Sequence, residues 1–232
     1  PYLPSRFYPE AVSEAQRKFL GTLWNTYCFY VLYAEIDKFN PTEHKLKDCE
    51  LSVMDKWILS SLNTLIKTVD NGLNESARAI GDFTDSLSNW YVRRCRERYW
   101  GSEETPDKIA AYMTLYTVLE TLVRVAAPFT PFMCESIYQN IVRSVDKNAP
   151  LSVHLCTFPE CDGKRIDKKL ESDMAVVLEA ATLGRSARNQ SQIKNRQPLN
   201  RLLLAGDGAA RLSADMKAVI ADELNVKSVE II

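Results

Sequence analysis

Apolar residues recur at three- and four-residue steps through most of the first 150 positions, and no other feature constrains the fold as strongly. Leu20, Leu23, Trp24, Tyr27, Cys28 and Val31 form one such stripe, in a segment running from Glu10 to about Phe39. Trp57, Ile58, Leu62, Leu65, Ile66 and Val69 form a second. Spacing of this kind places one apolar face along an α-helix, which must be buried against another element. Punctuation agrees with the periodicity. Asn40-Pro41 ends the first helix, because the residue before proline is pushed out of the helical region. Ser52-x-x-Asp55 reads as a capping box opening the second, and Asn71-Gly72 as its stop. A third helix is expected over about 75–100, and a fourth from Thr105-Pro106 to Ala126. A fifth restarts at Thr130-Pro131 after Pro128. Long amphipathic helices joined by short polar turns make a helical bundle.

The texture changes after Asn148-Ala149-Pro150. Residues 151–158 read as a short strand and 167–189 as a helix. A strand over 201–205, a helix over 213–224 and a strand over 226–232 follow, with a turn at Gly206-Asp207-Gly208. The expected fold is therefore mainly α: a helical bundle over residues 1–149, then a small α+β module over 150–232. A length of 232 residues fits this division, and 46% hydrophobic with 25% charged residues is the balance of an ordinary globular chain.

Composition also removes several functions. With His44 and His154 the only histidines, most catalytic triads and multi-histidine metal sites are excluded. No glycine-rich phosphate loop is present, and no nucleophile has a base beside it. The six cysteines are scattered without a C-x-x-C pair and read as reduced, mostly buried thiols; His154, Cys156 and Cys161 fall short of the four ligands of a structural zinc site. Apolar stretches such as 118–125 are broken by charges, and Pro1–Arg6 lack the signature of a signal peptide. The chain is expected to be cytoplasmic, with no membrane partner and no metal.

Net charge is −1, so any polyanion must be met by local basic patches. Two stand out. At the end of the third helix, Arg93, Arg94, Arg96 and Arg98 are interleaved with Trp90, Tyr91, Tyr99 and Trp100. Phe83, Leu87 and Trp90 mark the buried stripe, and continuing by fours reaches Arg94 and Arg98, with Arg93 and Arg96 opposite. Two readings follow. Either buried acids from other helices partner the inward arginines, or the helix overhangs the bundle and offers guanidinium groups to phosphates and rings to bases. The second patch, 184–201, holds Arg185, Arg188, Lys194, Arg196 and Arg201 with no acid, among asparagines and glutamines that suit a sugar–phosphate backbone.

Several of these stretches resemble the anticodon-binding region of isoleucyl-tRNA synthetases. Trp90-Tyr91-Val92-Arg93-Arg94 and Arg98-Tyr99-Trp100 are similar to that family's third-helix motif. Lys18–Asn25, Asp55–Ser60, Ala127–Phe132, Ser152–Leu155, Arg196–Leu199 and Glu223–Lys227 extend the resemblance along nearly the whole chain. Valyl, leucyl and methionyl relatives share the helix pattern, and the Trp-Tyr-Val-Arg-Arg and Glu-Leu-Asn-Val-Lys runs favour the isoleucine branch. The resemblance implies an enzyme that uses ATP to couple isoleucine to its tRNA. This chain has neither the His-x-Gly-His nor the Lys-Met-Ser-Lys-Ser motif, and it lacks the zinc-binding cysteines of the common bacterial form. It is therefore expected to be a non-catalytic, monomeric piece without a cofactor of its own, working beside the catalytic domain. Its expected tRNA contacts are Tyr91, Arg93, Arg94, Arg96, Arg98 and Trp100 at the anticodon, with Arg188, Lys194, Arg196 and Gln197 at the stem. The alternatives are a helical protein-docking module and the corresponding region of a valine-specific relative.

Overall fold

The computed structural model describes residues 8–232; the stretch Pro1–Arg6, considered above as a leader, lies outside the described residues. Helix α1 (Pro9–Ala15) winds through a π-helical turn, Gln16–Gly21, into α2 (Thr22–Asp37). Lys38 ends α2 in the left-handed region, at φ 54°, where its N–H reaches the Glu35 carbonyl at 3.3 Å. Asn40 is extended ahead of Pro41, as expected for a residue before proline. Helix α3 (Val53–Asn71) opens on the expected capping box. Ser52 Oγ accepts the Asp55 N–H at 3.2 Å, and Asp55 Oδ2 accepts the Ser52 N–H at 2.9 Å.

The expected third helix is one continuous path that changes its winding. It begins as α4 (Leu73–Ser86), loosens into a π-helical turn at Leu87–Val92, passes through α5 (Arg93–Cys95) and tightens into a 3₁₀ turn at Arg96–Tyr99. Next come α6 (Pro106–Ala126), capped by Thr105, and α7 (Pro131–Tyr138). Leu23, Ile58, Leu62, Leu87, Leu115, Leu119, Leu122 and Ile137 meet in the core. Contrary to the sequence reading, one segment does reach the length and apolarity of a membrane span. It is α6, 21 residues long, and 72% of its apolar window is buried inside the protein, which accounts for its composition without a membrane.

No strand forms at 151–158. The segment holds a 3₁₀ turn, Val153–Leu155, because the Glu135 carboxylate on α7 takes the Val153 N–H and the Ser152 hydroxyl, each at 2.9 Å. A donor spent on a side chain is lost to a strand ladder. The same segment stays with the helices: Tyr138 Oη donates to the Pro150 carbonyl, and the Asp162 N–H donates to Asn63 Oδ1. Packing accordingly divides the chain after Ile166, whereas the change in texture put the border at 149/150.

The second unit, Asp167–Ile232, has its own core. Asp167 caps α8 (Lys168–Gln190), and β1 (Leu199–Leu204) follows. Ser213 caps α9 (Ala214–Leu224), which returns the chain to β2 (Val226–Ile231) parallel to β1, with Leu199 opposite Val226 and Leu203 opposite Glu230. A helical crossover is what a parallel pair requires. Helices α8 and α9 approach so closely at Gly184 that a Cβ there would stand 2.3 Å from Leu224 Cδ1.

Candidate nucleic-acid interface

Spacing along the third helix assigns its arginines to two sides, and the fold keeps that assignment. Arg93 and Arg96 are exposed, whereas Arg94 and Arg98 are half-buried. What the inward side does is decided by acids from elsewhere. The Arg98 guanidinium makes a two-pronged bond to Asp55 on α3, with Nη1–Oδ1 at 2.8 Å and Nη2–Oδ2 at 2.9 Å. It also bonds Asp107 at the start of α6, with Nε–Oδ2 at 2.9 Å. Tyr91 Oη donates to the same Asp55 carboxylate at 2.6 Å. Burial by itself would raise the Asp55 carboxyl, but Arg98, Tyr91 and Ser52 outweigh it and hold the group below its ordinary value of 3.8. Burial likewise disfavours the Arg98 cation, and the two carboxylates more than restore it.

This network corrects two expected contacts. Arg98 is the bolt between α3, α6 and the 3₁₀ turn, with its donors spent on buried Asp55 and on Asp107 at the surface. Tyr91 is 0% exposed and has no face on which a base could stack. At the tip remain the exposed Arg93 and Arg96, the half-exposed Arg94 and Trp100, which is 57% exposed. Arg93 lies over the Trp90 ring at 5.5 Å and bonds the Asn89 carbonyl; Arg96 lies over Phe29 at 5.8 Å. These contacts orient both cations while leaving them at the surface.

In the second unit the basic run also splits. Arg188 is 5% exposed and acts as a backbone clamp, its Nη2 donating to the Leu224 and Asn225 carbonyls and its Nη1 to the Lys194 carbonyl. It therefore leaves the set of stem contacts. Arg185 pairs with Glu223, and Arg201 with Glu230. Lys194, Arg196 and Gln197 are exposed on a loop whose backbone is held by Arg188 and by the Asn225 amide, which donates to the Asn195 and Arg196 carbonyls.

Sequence reasoning missed Asp107 and recognised Asp55 only as a cap. The latter signal lay in the inward arginine, which demanded an acid without saying which. Among the described residues no group of three or more His, Cys, Asp or Glu is placed to hold a metal. The thiols are less buried than expected: Cys95 and Cys134 are enclosed, Cys49, Cys156 and Cys161 are partly accessible, and Cys28 is exposed.

The bundle thus bolts one helix end from within and presents cations and an indole from without. The chain matches the anticodon-binding domain of tRNA ligase over residues 55–203, and it belongs to that family. More particularly, it is 56% identical, over 99% of its length, to an isoleucine–tRNA ligase of Clostridium novyi. It is 52% identical over 99% to the isoleucine–tRNA ligase of Clostridium kluyveri, and 46% identical over 97% to one from Dehalococcoides mccartyi. The chain spans 22–23% of the length of these relatives.

Proposed function

We propose that this chain grips the anticodon stem-loop of an isoleucine-accepting tRNA on behalf of an isoleucine–tRNA ligase. The single observation that carries the reading is the division of labour at the tip. Arg98 and Tyr91 are consumed by the Asp55 network, while Arg93, Arg96 and Trp100 face outward. Arginine suits phosphate and base edges, and an exposed indole suits stacking by an unpaired base. Lys194, Arg196 and Gln197 are the candidate stem contacts. On this reading the whole ligase uses ATP to join isoleucine to its tRNA in the cytoplasm. This chain forms no bond itself, and works as a monomer beside the catalytic domain.

Filter binding of the 232-residue chain to isoleucine and valine tRNAs at two salt concentrations tests the proposal. Affinity should fall as salt rises, because bound phosphates release counterions. Replacing Arg93 and Arg96 together by alanine should lower the slope of log affinity against log salt by about one unit for each phosphate no longer engaged. Preference for the valine tRNA would move the chain to the valine-specific reading. A folded chain that binds neither tRNA at low salt would favour the protein-docking reading.

A further inference from the structure

Helix α2 has no polar face. Its 16 residues carry two charges, Glu35 and Asp37, both in the last turn. Leu23, Thr26, Tyr27 and Tyr30 are buried in the bundle, which accounts for one apolar side. The opposite side of a surface helix is ordinarily polar. Here it bears Trp24, Cys28, Leu32 and Ile36 at steps of four, and all of them are exposed. Trp24 is 40% exposed, Leu32 55% and Ile36 65%. A helix that is apolar all round belongs in a place where it is covered all round.

The spacing also states what kind of surface this is. Residues four apart form the inclined row that one helix sets into the grooves of another. From Trp24 to Ile36 the row rises about 18 Å along the axis. Single apolar side chains at a surface need no partner, whereas a continuous row marks an interaction site. The row offers nothing to a phosphate backbone. It contains no cation, and its neighbour Glu35 is an acid.

What covers it follows from the size of the relatives. Isoleucine–tRNA ligases that match 97–99% of this chain are spanned by it over only 22–23% of their length. More than three quarters of each such ligase therefore lies outside the matched stretch, and domains of one chain bury surface of this kind against each other. We infer that the Trp24–Cys28–Leu32–Ile36 row is the face on which this chain packs against the remainder of the ligase polypeptide, through an apolar helix of that part. The inference rests on the reading that sets the chain within a longer ligase, and it names the surface that holds it there.

Cys28 lies within the row and serves as the probe. The test labels thiols with iodoacetamide in the 232-residue chain and in the full-length ligase that contains it, with peptide mapping of both. Cys28 should react about tenfold more slowly in the ligase, because thiol reactivity requires access. Replacing Leu32→Glu and Ile36→Glu together should restore fast labelling of Cys28 in the ligase. The same pair should leave the denaturation midpoint of the 232-residue chain unchanged, since both side chains already face solvent there. Equal Cys28 rates in chain and ligase would overturn the inference, and with tRNA binding intact would leave the tRNA reading standing. Protection of Cys28 in the chain alone that grows with its concentration would make a second copy the occupant and refute the inference. Protection that appears there on adding tRNA would refute it too. Protection in the ligase, with no tRNA bound by the chain, would uphold the row and overturn the tRNA reading alone.

Discussion

The Asp55 carboxylate accepts from the Ser52 backbone, Tyr91 and Arg98, so one side chain caps a helix and closes a charge pair across the bundle. Asp55→Ala would remove the carboxylate of the α3 capping box and the acceptor of Tyr91 while leaving Arg98 its Asp107 partner. A lost cap and a buried hydroxyl left without its acceptor each cost about 1–2 kcal/mol, so the variant should be destabilised by about 2–4 kcal/mol in chemical denaturation. The pH dependence follows from the depressed folded-state value. The carboxylate contributes fully above the unfolded value near 3.8, and its contribution is lost as pH falls through the still lower folded value. Stability measured between pH 5 and pH 2 should decline in that window, and less steeply in Asp55→Asn. The thiols offer a second check. Burial pushes Cys95 up to about 12 and Cys134 up to about 11, so both should resist alkylation by iodoacetamide at pH 8. Exposed Cys28 should be labelled first, as peptide mapping would show.

Element boundaries were legible wherever a local rule applied. Ser52-x-x-Asp55, Thr105-Pro106 and Asn40-Pro41 act through neighbours in the chain, and each stands where periodicity and capping put it. The strand expected at 151–158 failed for a nonlocal reason, because Glu135 on another element takes its backbone donor. Winding inside the third helix was equally invisible, since π and 3₁₀ turns share the apolar spacing of the α-helix around them. Close packing provides the test at this scale. At Gly184, any side chain must displace the buried Leu224, so Gly184→Ala should destabilise the second unit by about 1–3 kcal/mol despite alanine's better helix propensity.

For the molecule as a whole, two separate cores imply two separable unfolding events. All four tryptophans (Trp24, Trp57, Trp90 and Trp100) lie in the helical unit, so their fluorescence reports that unit alone, while far-ultraviolet circular dichroism reports both. Gly184→Ala should shift part of the dichroism transition to lower denaturant and leave the fluorescence midpoint in place, and Asp55→Ala should move the fluorescence midpoint. Coincident shifts of both signals in both variants would mean that the units unfold as one.

Helical character, the main helix starts and stops, the two basic runs and the sidedness of the arginines were written in the order of residues, because each depends on contacts within a few positions. Which inward cations are consumed by partners was settled only by tertiary structure. Asp55 reaches Arg98 across 43 positions, and Arg188 finds the Leu224 and Asn225 carbonyls 36 and 37 positions away. A buried charge must find its partner wherever the fold brings one, and local periodicity does not record that meeting. The same holds for the His44–Phe39–Tyr112 stack, whose rings come together only when α2 and α6 are packed.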